Sequence, residues 1–429
     1  MKVSLILIIV FLSNFSFAQE SLVNTIHSKL IDLNEVSGAN EDFSSYERLK
    51  EMLKDVEIVM LGEQSHGEAT SYDTKIKLVK FLHEEMGFDI LAFESDFYAC
   101  EKARQQIQNG KEMDIAFGKS VTFLWSTIKE IKPLTTYLEQ SFKSDDPLKV
   151  VGFDNQLIGK YSSENYVNDL RTFINQVDII TNYQDKFEDL EQSISKLRIN
   201  KNRRKEARRD TIFINELISV IENSSTYPAS DFWLQSLKST KAFISDLRLK
   251  TDFRDWQMAQ NLIWHKENNP GEKIICWGAT SHFLYNSEDV RMKSWAIQLL
   301  AGNYYKKQPM MGHYVKEKYG SKLFTIGFTA YEGEYGLSRK KKIKEPKPNS
   351  IESIIGQSNY NNCLLPLADL ELSSYISRPL GNVYMKTNIA NVMDAILFNR
   401  KMEAPSLDRN LFLTIYPENI YVKAEQSEE

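Results

Sequence analysis

The sequence predicts an α/β protein: a largely parallel β-sheet flanked by helices, with a helical insertion at about 162–250. Three observations carry this reading. Short apolar runs of strand length recur along the chain. Segments with apolar residues at helical spacing separate them. One long stretch is charged and helical throughout and contains no strand. Apolar strands alternating with helices mark βαβ units, whose sheets are covered on both faces.

The first run, 57–61 (EIVML), reads as a buried strand ended by Gly62. Residues 72–86 carry Ile76, Val79, Leu82 and Met86 at helical spacing, and Gly87 is a stop signal. A second strand, 88–93 (FDILAF), is followed by helical sequence to Gln108 and a turn at Asn109-Gly110. After a helix candidate at 127–142 come strands at 148–153 (LKVVGF), 273–277 (KIICW), 323–328 (LFTIGF) and 394–398 (DAILF). Residues 411–415 are expected to add an edge strand.

Composition narrows the class. Of 429 residues, 42% are hydrophobic and 26% charged, which excludes a disordered chain, a collagen-like chain and a polytopic membrane protein. The net charge of −5 supplies no positive field for phosphates, so no nucleic-acid partner is expected. Residues 1–18 have the cationic start, apolar run and small-residue end (Ala18) of a secretory signal, so residues 19–429 are expected as an exported α/β domain, periplasmic or secreted. The apolar run is too short to span a membrane, and no stable membrane insertion is expected. Cys100, Cys276 and Cys363 read as buried thiols, with one disulfide plus one free thiol as the alternative. The basic run at 196–209 reads as a solvated helix face, with an anion or membrane-surface patch as the alternative. A second basic run at 339–347 reads as an exposed loop.

Chemistry-bearing residues collect where the strands end. The first strand runs into Glu63, Gln64, Ser65, His66, Gly67 and Glu68, the second into Glu94, Ser95 and Asp96, and the third into Asp154, Asn155 and Gln156. The fourth leads to His282, the fifth to Thr329 and Glu332. Open parallel sheets bind ligands outside the carboxyl ends of their strands, so Glu63, His66, Glu94 and His282 are candidates for one site. The chain has no G-x-S-x-G elbow, no Walker A motif, no G-x-G-x-x-G and no H-E-x-x-H. That leaves histidine and carboxylates as the catalyst. A neutral imidazole takes a proton from water near pH 7, and a carboxylate holds its tautomer. His27, His83, His265 and His313 read as surface or packing residues, and Arg254 as the structural partner of an acid.

At these residues the sequence resembles the erythromycin esterase family. The resemblance rests on IVMLGEQSHG (58–67), FDILAFE (88–94), VGFDNQ (151–156), RDWQMAQNLIW (254–264), KIICWGATSH (273–282) and MGHYVKEKYGSKLFTIGFT (311–329), and spans about 42–398. It implies an α/β fold and hydrolysis of an ester or macrolide lactone, with no cofactor. His66 would be the general base, Glu63 and Glu94 would lie beside it, and His282 would lie across the cleft. Lys75 and Asp154 would contact substrate. The chain departs from the family pattern at Ala279, where a first histidine usually stands, and at Lys75, where arginine is usual. Two other readings stay open: a Zn²⁺- or Mn²⁺-dependent hydrolase, since the same residue types ligate metals, and a non-catalytic envelope protein binding a haem-type ligand.

Overall fold

The computed structural model describes residues 22–178, 182–195, 204–224, 227–299 and 303–418. The expected signal at 1–18 and the basic residues at 196–203 lie outside the described residues.

Eleven strands are described: β1 (Ile31–Asp32), β2 (Ile58–Leu61), β3 (Ile90–Asp96), β4 (Lys149–Asp154), β5 (Ile274–Trp277), β6 (Leu323–Tyr335), β7 (Lys341–Lys342), β8 (Asn362–Pro366), β9 (Ser377–Leu380), β10 (Val383–Met385) and β11 (Ala395–Met402). The main sheet runs β1-β8-β11-β6-β2-β5-β3-β4, with β7 on β6, while β9 and β10 form a separate hairpin. All neighbours from β11 to β4 pair in parallel. These are the six apolar runs of the sequence. The short antiparallel strands β1, β7 and β8 were not expected.

The central strands are apolar at every position because both faces are covered. Val59, Leu61, Phe93 and Trp277 face a core shared with the Ala69–Met86 helix, whereas Ile58, Met60, Ala92 and Cys276 face one shared with the Arg254–Asn268 helix. Between β4 and β5 the helices Lys160–Val177, Gln184–Ser195, Arg204–Glu222 and Ser230–Leu249 pack around their own apolar cluster, with Phe187, Phe213 and Trp233 in it. Arg204 and Arg208 are exposed on one of these helices, and Arg209 pairs with Asp189 at 2.9 Å, as a solvated face requires.

Residues 411–415 are not an edge strand. They end the helix Arg409–Ile415, whose start is capped by the Asp408 carboxylate accepting from the Leu411 N–H at 3.0 Å. Phe412 and Ile415, three apart, both face inward, so the apolar period here is helical. Cys100, Cys276 and Cys363 are buried and free, which removes the disulfide alternative. No helix among the described residues is long and apolar enough to cross a membrane.

Candidate active site

The carboxyl ends of β2, β3, β4 and β5 lie side by side, because β5 inserts between β2 and β3. Two charged clusters meet there, one from each face of the sheet.

The first is built on the loop after β2. His66 Nδ1 lies 2.6 Å from Glu63 Oε1, which also accepts from the Trp125 indole N–H at 3.0 Å. Lys75, on the Ala69–Met86 helix, donates from Nζ to Glu63 Oε2 at 2.7 Å and sits 4.7 Å from the Trp277 ring centroid. The Lys75 and Glu63 side chains are both fully buried, but His66 is 37% exposed. Lys75 therefore serves Glu63 rather than reaching open solvent. With Nδ1 engaged, no described residue hydrogen-bonds the His66 Nε2. Burial alone would lower the His66 pKa; the Glu63 hydrogen bond and the charges of Glu63 and Glu94 outweigh it, against Lys75, and the net shift is upward.

The second cluster centres on Glu94. The register of β3 against β4 shifts between Phe93 and Asp96, and such a bulge re-aims the side chains it carries. Gly152 on β4 permits it, since a Cβ there would come within 2.5 Å of the carbonyl oxygens of Ser95 and Asp96. Glu94 Oε2 accepts from the Ala279 N–H at 2.8 Å, and Oε1 accepts from Arg254 Nη2 at 2.9 Å. The Arg254 guanidinium also grips Asp154 with two bonds, Nε to Oδ1 at 3.1 Å and Nη2 to Oδ2 at 2.8 Å. His282 Nε2 stands 3.3 Å from Glu94 Oε1, and its Nδ1 is 2.8 Å from Asp255 Oδ1. Asp255 is further tied by the Met311 N–H at 3.1 Å and the Tyr304 hydroxyl at 3.3 Å.

Burial works against the Glu94 charge, but His282 and Arg254, then His66 and the Ala279 N–H, overcome it and hold the carboxyl down at about 2. His282 shifts upward: burial opposes its charge, and Asp255 and Glu94 outweigh burial. Glu94 thus faces positive charge from both clusters and links them electrostatically. Asp154 is the seat of the Arg254 clamp, and Ala279 contributes only its backbone N–H.

Sequence reasoning assigned Arg254 a structural ion pair and passed over Asp255, Trp125 and Tyr304. The adjacent Arg254-Asp255 dipeptide at a helix start was the one readable signal, because a single turn there presents both residues at the strand ends. Trp125 and Tyr304 carried no signal. His265 and His83 are buried packing residues, bonded to the Gly152 carbonyl at 2.9 Å and to the Tyr137 hydroxyl at 2.6 Å. Among the described residues no group of three or more His, Cys, Asp and Glu is arranged to hold a metal ion; the Arg254 guanidinium occupies the space between Glu94 and Asp154. A cavity of about 590 Å³ along the outer edge of β4, walled by Phe97, Phe232 and Trp264, includes none of these site residues.

A family model described as erythromycin esterase matches residues 83–402. The Bacillus subtilis (strain 168) protein YbfO, whose name gives hydrolysis as its proposed activity, is 27% identical over 365 residues, 77% of each chain. A crystal structure of a Bacillus cereus protein superposes with a TM-score of 0.73 at 17% identity, covering 90% of this chain and 98% of that one. A succinoglycan biosynthesis protein gives a TM-score of 0.70 at 20% identity over 90% and 98% of the two chains. A mutant of the erythromycin esterase EreC in its open conformation gives 0.65 at 16% identity over 86% and 96%. At these identities the structural matches establish the fold.

Proposed function

Because the chain belongs to the erythromycin esterase family, we propose that it is a hydrolase that opens an ester or lactone with water activated by His66. The observation that carries this reading is the 2.6 Å pairing of His66 Nδ1 with buried Glu63, which leaves Nε2 on a partly exposed imidazole. Nε2 takes a proton from water as the oxygen attacks the carbonyl, and Glu63 stabilises the imidazolium that forms. The same proton then goes to the leaving alcohol. Arg254 and His282 supply positive charge opposite, where the tetrahedral oxyanion develops. Asp255 sets the His282 ring through Nδ1. The hydrolase name of the Bacillus subtilis relative supports the reaction class, and the macrolide lactone comes from the family alone.

The test is a screen of the purified protein against macrolides and simple carboxylic esters. Turnover of an ester or lactone supports the reading. Ligand-dependent absorption of a haem-type compound without turnover would select the binding-protein alternative.

The cation positions at both clusters are taken by Lys75 and Arg254. Hydrolysis should accordingly survive dialysis against a chelator. Activity lost on chelation and restored by Zn²⁺ or Mn²⁺ would replace this mechanism with a metal-dependent one.

Export remains part of the proposal, resting on residues 1–18 of the sequence. Cell fractionation should find the chain outside the cytoplasm with Gln19 as its N-terminus; a cytoplasmic chain keeping Met1–Ala18 would refute it. In the same reading, residues 19–429 act as one catalytic domain and the helices of the 162–250 insertion wall one side of the cleft.

A further inference from the structure

Two buried carboxyls stand five residues apart in the loop that carries the proposed base, and their surroundings differ. Glu63 is held by short bonds of 2.6, 2.7 and 3.0 Å from His66, Lys75 and Trp125. Glu68, with no solvent exposure, receives only neutral donors, each at 3.3 Å: the Gln64 N–H, the Ser71 hydroxyl and the Asn382 amide. Charge-assisted hydrogen bonds are the shorter ones, near 2.7–2.9 Å, and Glu63 has such partners in Lys75 and His66. Glu68 has no cation among its hydrogen-bond donors, so its burial favours the neutral acid.

Glu68 also joins the loop to a distant part of the chain. The hairpin β9-β10 turns at Gly381-Asn382, both with positive φ (60° and 58°), as a tight type I′ turn requires. That tip meets the loop at several points. The Gly381 N–H donates to the Gln64 carbonyl at 2.8 Å, and Gln64 Nε2 donates to the Arg378 carbonyl at 2.7 Å and to Asn382 Oδ1 at 3.2 Å. Asn382 Nδ2 closes the ring onto Glu68 Oε1.

We propose that Glu68 is a positioning residue of this site: as a neutral acid it ties the Gly381-Asn382 turn to the Glu63–His66 loop and leaves Glu63 the only negative charge of that loop facing Lys75 and His66. The proposal rests on the reading of His66 as the base. The titratable groups around Glu68 are Glu63 from its own loop and Tyr72 and Lys75 from the adjoining helix. The turn contributes the neutral Asn382, while Arg378 on β9 directs its guanidinium to the carbonyls of Lys344, Ala330 and Tyr331. Burial first, and then the Glu63 charge, push the Glu68 carboxyl up to about 8, against the hydrogen bonds from Asn382, Gln64 and Ser71. Above that pH a second buried negative charge appears behind Glu63 and shares the Lys75 charge with it.

The experiment follows the His66 imidazole by NMR with ¹⁵N-labelled histidine, assigned by its loss in His66→Ala. In the wild type its resonances should show, besides their own titration, a second step near pH 8. Glu68→Gln, which keeps a neutral hydrogen-bonding group, should abolish that step. Asn382→Ala, which removes a bond favouring the ionised form, should move the step to higher pH. A single-step wild-type titration, or a second step surviving in Glu68→Gln, overturns the proposal. The readout needs no substrate, so the step persisting in a protein that hydrolyses no ester would sink the hydrolase reading and leave the Glu68 ionisation standing. Where hydrolysis is present, kcat/KM should fall through the same alkaline step in the wild type and stay level there in Glu68→Gln.

Discussion

His66→Ala is expected to lower kcat by about 10²-fold or more on any confirmed ester substrate while the fold is retained, since a positioned general base contributes roughly 10²–10⁴-fold. The side chain is 37% exposed, and its one aromatic neighbour among the described residues is Trp125, edge-on at 5.2 Å between centroids, so removing it disturbs little packing. The pH profile should carry the same signature. A base acts deprotonated, so kcat/KM should rise with pH through the His66 pKa. Glu63 and Glu94 raise that pKa above the ordinary 6.5, so the rising limb is displaced toward higher pH from that of an unperturbed imidazole. Glu63→Gln removes the largest opposing influences and should bring the limb to lower pH while reducing kcat. Near-normal turnover in His66→Ala would reduce His66 to a structural turn residue.

Arg254→Met is expected to destabilise the fold by about 3–5 kcal/mol, the loss found when one partner of a buried ion pair is removed. The arginine holds two carboxylates, and those of Glu94 and Asp154 are only 5% and 1% exposed. Without it Asp154 keeps only the Gln156 N–H at 3.3 Å, and Glu94 keeps His282 and the Ala279 N–H. The deficit should depend on pH with a definite sign. Glu94 has its folded pKa depressed to about 2 from 4.5, so the stability it lends is fully present above about 4.5 and is lost as pH falls toward 2. Urea denaturation of wild type and variant should therefore diverge most near neutrality and converge in acid. A loss at neutral pH of no more than about 0.5 kcal/mol, the range of ordinary surface substitutions, would show that the clamp is not what balances these charges.

The parallel sheet and the strand-end location of the chemistry were legible in the sequence because both depend on local patterns. A strand covered on both faces must be apolar at every position, so Ile58–Leu61 and Ile274–Trp277 announce themselves without alternation. Polar residues that follow such strands directly emerge together at one edge, which is why Glu63, His66, Glu94 and His282 could be grouped before their distances were known. The 411–415 segment was misread because four apolar residues in five fit a strand or a helix, and the Asp408 cap and the inward pair Phe412 and Ile415 decide for the helix.

Only the tertiary structure decided how the charges are shared. Arg254 lies 100 residues from Asp154 and 160 from Glu94, and the Gly381-Asn382 turn lies more than 300 residues from the loop it braces. No spacing rule reaches across such separations; what brings these groups together is the order of strands, with β5 wedged between β2 and β3. Lys75 was expected from the sequence to contact substrate; its side chain is sealed beneath Glu63, because a helix packed on one face of the sheet aims it at the loop above. Burial and long-range pairing shift the pKa of Glu94 and of His282, and both arise only when the sheet is assembled.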